Sequence, residues 1–176
     1  MNLKKGYIQV YTGNGKGKTT AAIGQAVRAA GAGLKTIIIQ FMKEYPYSEI
    51  VSLNELSKWI NVEQYGKDDF VYKGKMPGEE DLAVALRALK RAEDSMLCNE
   101  YNIIILDEII VAIYFKLFPI SDVIDLINKK PDNVELILTG RYCPEEIIEK
   151  ADLVTEMKEI KHYYTKNVLS RKGIES

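Results

Sequence analysis

The sequence predicts an α/β fold, a three-layer sandwich with helices on both faces of a mainly parallel sheet. Strand-like and helix-like segments alternate along the chain, as they do when helices join parallel strands. The segments at residues 35–41 and 102–106 are continuous apolar runs, which indicates strands that helices cover on both faces. A glycine-rich turn follows the first strand-like segment, at the strand end where folds of this class bind ligands.

The first half of the chain begins with a predicted strand and a predicted helix. Residues 6–11 are apolar and β-prone, whereas residues 21–30 are rich in alanine and helix-prone. Gly31 and Gly33 are C-cap signals for that helix, and residues 35–41 are the predicted second strand. The next predicted elements are a short helix and a weak third strand, at residues 48–59 and 61–65.

The second half follows a long loop at residues 66–77. A helix is predicted from residue 78, because acidic residues in its first turn favour the helix dipole. Its apolar residues fall on one face: Leu82, Ala85, Leu86, Leu89 and Ala92. The remaining strands are predicted at residues 102–106, 134–138 and 152–157. The length is that of one domain, so we expect residues 1–176 to form a single domain.

Composition and charge exclude several classes of protein. The net charge is −1, so no global basic field recruits nucleic acid. The most apolar stretch, residues 103–118, is interrupted by Asp107, Glu108 and Lys116, which argues against a membrane span. The short N-terminal apolar run belongs to the first strand and is not a signal peptide. We therefore expect a cytoplasmic protein.

The turn after the first strand is a predicted phosphate-binding loop. Its glycines let backbone N–H groups converge on one point, Lys18 supplies a cation, and the Thr19 hydroxyl is a potential Mg²⁺ ligand. Lys16 lies inside the loop and is expected to face phosphate. The candidate nucleotide-binding residues are Thr12, Gly13, Asn14, Gly15, Lys16, Gly17, Lys18, Thr19 and Thr20.

The loop is one residue shorter than the usual pattern of glycine, four residues and Gly-Lys-Ser/Thr. That pattern requires glycine at position 12, where this sequence has Thr12. A purely structural strand-to-helix turn is the alternative, but Gly-Lys-Thr-Thr directly after a strand argues against it. The short spacing bears on the orientation of the nucleotide and on the bond that reacts.

Asp107 and Glu108 directly follow the predicted fourth strand. A carboxylate at such a strand end completes the Mg²⁺ shell that begins at a phosphate loop, directly or through water. The alternative is an exposed acidic turn, and the spacing does not decide which carboxylate would bind the metal. The candidate metal ligands are therefore Thr19, Asp107 and Glu108.

Other polar and aromatic residues leave more than one interpretation open. Arg141 follows the predicted fifth strand and is either a phosphate ligand or a surface arginine in an ion pair. His162 is a lone histidine, to which we assign no acid–base role. Phe70 and Tyr72 are either a hydrophobic cluster under the long loop or a wall of a second-substrate pocket.

Three classes of nucleotide-binding protein compete on these features. A small-molecule kinase needs several arginines around the transferring phosphate, and the sequence has few outside its predicted helices. A GTPase needs Asn-Lys-x-Asp after a strand, whereas residues 128–132 have one residue too many and precede a strand. A P-loop ATPase or a nucleotide-dependent switch without chemistry of its own remains open.

Six segments together resemble the P-loop type of ATP:corrinoid adenosyltransferase, over nearly the whole chain and in the same order. The short phosphate loop and the run A-D-L-V-T-E-M are specific to that family. The segments are 10–22 (V-Y-T-G-N-G-K-G-K-T-T-A-A), 40–43 (Q-F-M-K), 106–109 (L-D-E-I), 138–141 (L-T-G-R), 151–157 (A-D-L-V-T-E-M) and 173–175 (G-I-E).

The resemblance implies a recombinase-like P-loop NTPase fold and a specific reaction. The 5′-deoxyadenosyl group of ATP would pass to the Co(I) form of a corrinoid, with triphosphate as the leaving group. It also implies that ATP lies in the loop in reverse orientation. Lys16, Lys18 and Glu108 would be the catalytic residues, and Mg²⁺ would be held by Thr19 and Glu108.

The resemblance further implies how the corrinoid is handled. Phe70 and Tyr72 match the family's Phe-x-Trp pair, with Tyr in place of Trp, and would displace the lower axial ligand of the corrinoid. A flavoprotein reductase would supply electrons for Co(I), and the enzyme would be a homodimer. The sequence begins at the first strand, without the N-terminal helical segment that covers the corrinoid in some members, so we expect the corrinoid lid to differ.

Overall fold

The computed structural model of the protein describes residues 3–44, 47–67 and 76–175. Its centre is a six-stranded sheet in which every neighbouring pair of strands is parallel, with the order β3-β2-β4-β5-β1-β6. The strands are β1 (Ile8–Thr12), β2 (Thr36–Phe41), β3 (Ile60–Tyr65), β4 (Ile103–Asp107), β5 (Glu135–Thr139) and β6 (Leu153–Glu156). The predicted α/β class and parallel sheet are confirmed.

Helices cover the sheet on both faces, which completes the predicted sandwich. The first two helices pack on one face and the next four on the other. They are α1 (Lys18–Gly31), α2 (Ser48–Asn54), α3 (Glu79–Leu97), α4 (Ile109–Tyr114), α5 (Ile120–Asn128) and α6 (Glu145–Ile148), and a 3₁₀ helix (Tyr163–Lys166) follows β6.

The apolar runs of the central strands divide their side chains between two cores. In β2, Ile37 and Ile39 belong to the core beneath α3, whereas Ile38 belongs to the core beneath α1. Successive side chains of a strand point to opposite faces, so both faces of β2 need apolar residues. All six residues of β2 are buried, which explains the continuous run that predicted the strand.

The prediction for the buried face of α3 is wrong at one position. Leu86 is 49% exposed, and the buried stripe instead includes Ala85, Ala88 and Ala92. Small side chains let the helix approach the sheet closely, so alanines rather than leucines occupy the centre of the contact. Leu82 and Leu89 are partly buried and pack at its edge.

Three helices in the second half have no counterpart among the predicted elements, namely α4, α5 and α6. Only Asp107 and Glu108 interrupt the apolar residues of β4 and α4, and a change of backbone conformation separates the two elements. Glu108 has a φ of 63°, in the left-handed region, and turns the chain from the strand into the helix.

The topology brings the phosphate loop and the acidic strand end to one edge of the sheet. β5 lies between β1 and β4, so the residues that follow these three parallel strands are neighbours. In the described ranges 3–44, 47–67 and 76–175, no helix has the length and apolar composition needed to span a membrane.

Gly140 is a tightly packed point of this edge and provides a test of the packing. Its φ is 145°, and a Cβ there would lie 2.7 Å from the Cβ of Ile110 and 2.9 Å from the backbone nitrogen of Val111. We expect Gly140→Ala to lower the free energy of unfolding by about 2 kcal/mol or more, through strain and overpacking. Urea denaturation measures the change.

Gly24→Ala is the matched control, because Gly24 lies within α1 and a Cβ there meets no atom within 4 Å. The control should stabilise the protein by about 0.5–1 kcal/mol, since alanine is the better helix former. Equal effects of the two substitutions would contradict the packing described at Gly140.

Candidate active site

The phosphate loop connects β1 to α1 and packs closely against the chain that follows β6. Gly13 and Gly17 have φ values of 95° and 121°, in the region that favours glycine. A Cβ on Gly13 would lie 2.5 Å from the carbonyl oxygen of Met157. The N–H of Gly15 donates to the same oxygen at 2.6 Å. Met157, at the end of the A-D-L-V-T-E-M run, therefore fixes the shape of the loop.

Lys18 holds the loop together from inside. Its side chain is almost fully buried, and Nζ donates to the carbonyl oxygens of Gly13 and Gly15, both at 2.8 Å. Burial lowers the pKa of Lys18, because desolvation disfavours the charged ammonium. An ammonium has three protons, so a donor remains for a ligand in the loop.

The carboxylate of Asp107 is the centre of a buried hydrogen-bond network. Its side chain is 1% exposed, and it accepts four hydrogen bonds from side chains. Oδ1 accepts from the hydroxyls of Thr19 and Thr139, at 2.8 and 2.7 Å. Oδ2 accepts from Nζ of Lys43 and Nε2 of Gln40, at 2.7 and 3.1 Å. The network joins α1, β2, β4, β5 and the loop after β2.

The two neighbouring carboxyls have opposite pKa shifts. Burial alone would raise the pKa of Asp107, but the Lys43 ammonium and the donated hydrogen bonds hold it below its usual range. Burial and the adjacent charge of Asp107 raise the pKa of Glu108. Asp107 is therefore the stable anion of the pair.

Three of the loops at this edge contain a residue in the left-handed region that is not glycine. They are Met42, Glu108 and Tyr142, with φ values of 58°, 63° and 64°. Met42 precedes Lys43 and Tyr142 follows Arg141, so each strained residue is, or adjoins, a candidate site residue. Such conformations cost of order 1–3 kcal/mol and concentrate at functional sites.

A cavity of about 820 Å³ opens above the loop. Its floor is the phosphate loop with the first turn of α1, and Lys43, Glu108 and Arg141 reach it from the other strand ends. Residues 47–49 and Ser52 form another wall. The volume is in the range of small-molecule sites, and the lysine and arginine side chains that line the space besides Lys43 are Lys16, Lys18 and Arg141.

Most of the sequence-predicted residues meet in this cavity. Those that line it are Gly15, Lys16, Gly17, Lys18, Thr19, Thr20, Glu108 and Arg141. Thr12, Gly13 and Asn14 do not line it, and Asp107 lies beneath its surface, in contact with Thr19. Phe70 and Tyr72 lie outside the described residues.

Several site residues received no role from the sequence. Lys43, Gln40 and Thr139 lie at the ends of predicted strands, where the sequence places the site, and the structure shows that all three contact Asp107. The chain after β6 also reaches the cavity, through His162, Ser170, Gly173, Ile174 and Glu175.

Contacts within this last segment join its two ends to each other. Glu175 accepts from the guanidinium of Arg171, at 3.0 and 3.2 Å, and from the hydroxyl of Tyr163. His162 accepts the N–H of Tyr164 through Nδ1, which caps the 3₁₀ helix and agrees with a structural role.

The oxygen atoms at this site suit a magnesium ion, provided that a bound nucleotide supplies some of the metal's ligands. Within the described part of the chain, no group of three or more His, Cys, Asp or Glu could hold a metal by itself. Mg²⁺ in phosphate sites commonly takes one or two carboxylates and completes its shell with substrate oxygens and water. The Thr19 hydroxyl and the Asp107 carboxylate, in contact at 2.8 Å, are oxygen ligands of that kind.

Comparison with known proteins identifies the family. The model of the family described as ATP:corrinoid adenosyltransferase BtuR/CobO/CobP matches residues 4–176. The chain belongs to this family. The family that the sequence motifs predicted is thereby confirmed.

Individual members of the family resemble the chain over almost its full length. The corrinoid adenosyltransferase of Escherichia coli (strain K12) is 33% identical over 173 residues, which cover 98% of this chain and 86% of that protein. Corrinoid adenosyltransferase CobA of Salmonella typhimurium is 32% identical over the same shares. The corrinoid adenosyltransferase of a Sinorhizobium species is 29% identical, covering 98% of this chain and 81% of that protein.

The raised pKa of Glu108 predicts a stability cost at the site. The folded protein binds this proton more tightly than the unfolded chain, so ionised Glu108 destabilises the fold above its folded pKa. We expect Glu108→Gln to raise the free energy of unfolding of the nucleotide-free protein at pH 8. The gain should shrink as the pH falls to about 4, where the unfolded side chain also becomes neutral.

Urea titrations of both proteins across this pH range measure the difference. Glu100→Gln, at an exposed position between α3 and β4, is the control and should change little at any pH. If Glu108→Gln is less stable than the wild type at pH 8, the raised pKa of Glu108 is contradicted.

Proposed function

We propose that the chain transfers the 5′-deoxyadenosyl group of ATP to the Co(I) centre of a corrinoid and releases triphosphate, in the synthesis or salvage of adenosylcobalamin. One observation supports the proposal most strongly. The phosphate loop and Glu108 line one cavity, and the buried Asp107 contacts Thr19 beneath it, in a chain of the adenosyltransferase family. Experiment must exclude three alternatives, namely a P-loop ATPase, a nucleotide-dependent switch and a small-molecule kinase.

The triphosphate of ATP would lie against the basic side of the cavity. Lys16 and Arg141 are exposed and line this space, and Lys18 lies in its floor. We propose that ATP binds in reverse orientation. The short loop supports this, as does the hydrogen bond from Gly15 to Met157, which removes one backbone donor from the usual cradle.

The chemistry requires little from the protein beyond position and charge. The Co(I) substrate is a strong nucleophile, so no general base is needed. A bond forms between cobalt and C5′, the C5′–O bond breaks, and its electron pair leaves on the triphosphate. Lys16, Lys18 and Arg141 would stabilise that developing charge.

We propose that Thr19, Asp107 and Glu108 hold Mg²⁺, which when bound would neutralise part of the triphosphate charge. Asp107 is ionised and supports Thr19 from below, whereas Glu108 faces the cavity. The remaining proposals rest on the family: a flavoprotein reductase that makes Co(I), a homodimer, and a cytoplasmic location. Residues 1–176 would act as one domain.

A single assay tests the proposed function. The protein is incubated with ATP, Mg²⁺ and chemically reduced cobalamin, and the products are separated. We expect a light-sensitive Co–C product and one equivalent of intact triphosphate. Stoichiometric ADP and phosphate would return the chain to the kinase or ATPase class, and nucleotide binding without turnover would favour a switch.

Lys18 provides the most direct test of leaving-group stabilisation. We expect Lys18→Ala to lower kcat/KM about 100-fold or more, equivalent to about 3 kcal/mol, because a buried cation at the leaving group is lost. Lys90→Ala removes the same charge from an exposed helix position that pairs with Asp94, and should retain wild-type activity. Full activity of folded Lys18→Ala would refute the role of Lys18 in stabilising the triphosphate leaving group.

Phe70 and Tyr72 carry a separate prediction about cobalt reduction. If they exclude the axial ligand, replacing both with Ala should greatly reduce activity when a mild biological reductant must generate Co(I) on the enzyme. Much of the activity should remain with cobalamin that is reduced beforehand. Equal losses in the two assays would count against a role in reduction, and no loss in either would indicate a simple loop cluster.

A further inference from the structure

Lys43 is a partly buried cation in contact with two residues of the candidate metal site. It follows β2, directly after the strained residue Met42. Its Nζ lies 2.7 Å from Oδ2 of Asp107 and 3.5 Å from the hydroxyl oxygen of Thr19. Those two residues also offer the oxygens suited to Mg²⁺, so the ammonium lies at or beside the place of the metal.

The surroundings of Asp107 explain why a cation is needed there. The carboxylate is 1% exposed, and an unpaired charge at that depth is strongly unfavourable. Thr19, Thr139 and Gln40 contact it with neutral donors. In the described part of the chain, Lys43 is the one cation in direct contact with it.

Two features indicate that the Lys43 ammonium and a metal ion cannot occupy the position beside Asp107 and Thr19 at the same time. Each oxygen of Asp107 already accepts two hydrogen bonds, so a metal ion or its water needs one of these donors to leave. A divalent ion on the Thr19 hydroxyl would also stand beside the ammonium, and the two cations would repel each other. Lys43 is the donor whose departure the incoming charge favours.

We propose that Lys43 is a resident cation of the magnesium position, which it occupies in the nucleotide-free protein and leaves when Mg²⁺ binds. The inference rests on the proposed function only in assigning Mg²⁺ to Thr19 and Asp107. The side chain of Lys43 is 14% exposed and lines the cavity. A lysine stem is long and flexible, so the displaced ammonium can turn to the triphosphate.

The experiment measures Mn²⁺ alone binding to the nucleotide-free protein at pH 8, by the loss of the electron paramagnetic resonance signal of free Mn²⁺. It needs neither ATP nor corrinoid, so its failure is distinct from failure of the adenosyltransferase assay. We expect Lys43→Met to bind Mn²⁺ at least about tenfold more tightly than the wild type, or about 1.4 kcal/mol. Lys90→Met, which removes the same charge from an exposed ion pair, should match the wild type.

Two further variants locate the effect. Lys43→Arg keeps the positive charge and should bind Mn²⁺ as weakly as the wild type. Adding Asp107→Asn to Lys43→Met should abolish the gain, because it removes the carboxylate that the metal takes over. If Lys43→Met is poorly folded, Mn²⁺ should raise its thermal transition and leave that of the wild type unchanged.

The opposite results overturn the inference. If Lys43 is a permanent part of the core, Lys43→Met leaves Asp107 without a counter-charge, and Mn²⁺ affinity stays the same or falls. Equal gains for Lys43→Met and Lys43→Arg would show that charge does not exclude the metal. A thermal transition of Lys43→Met that Mn²⁺ does not raise would also contradict it.

Discussion

The site depends on one buried carboxylate in which each oxygen accepts two hydrogen bonds. Asp107 is 1% exposed and accepts hydrogen bonds from Thr19, Thr139, Gln40 and Lys43, which lie on four different segments. A charge at this depth is tolerable only with such partners, so the network constrains the ends of the strands and the first turn of α1 together. The phosphate loop is held on its other side, by Met157.

Strand order and register make this arrangement possible. In the pairing of β2 with β4, Gln40 is directly opposite Asp107. β5 lies between β4 and β1 and ends at Thr139, whose hydroxyl donates to Asp107 and accepts the N–H of Glu108. One threonine thus orients both carboxyl residues. A shift of one residue in the pairing of β4 with β2 or with β5 would turn these side chains to the opposite face of the sheet, away from Asp107.

The sequence was most informative where chemistry requires a fixed local pattern. The phosphate loop, Asp107 and Arg141 could be predicted because each follows an apolar strand, and parallel strands end at one edge. The prediction that Leu86 is buried is wrong, because helical periodicity identifies a face of the helix but does not show how closely alanines let that helix approach the sheet. Lys43 lies at a strand end that the sequence places at the site, but its contact with Asp107 could not be predicted, since that contact depends on the pairing of β2 with β4. The segment after β6 also lines the cavity, and its G-I-E run matched the family without showing where in the fold it would lie.

The proposed reaction is attack at C5′ of ATP with release of the whole triphosphate. The most direct measurement uses ATP with ¹⁸O in the bridge between C5′ and the α-phosphorus, together with Co(I) cobalamin. Mass spectrometry then locates the label. Cleavage of the C5′–O bond predicts that all of the ¹⁸O leaves in the triphosphate. Retention of ¹⁸O on the nucleoside product would mean that a P–O bond breaks, and would contradict attack at C5′.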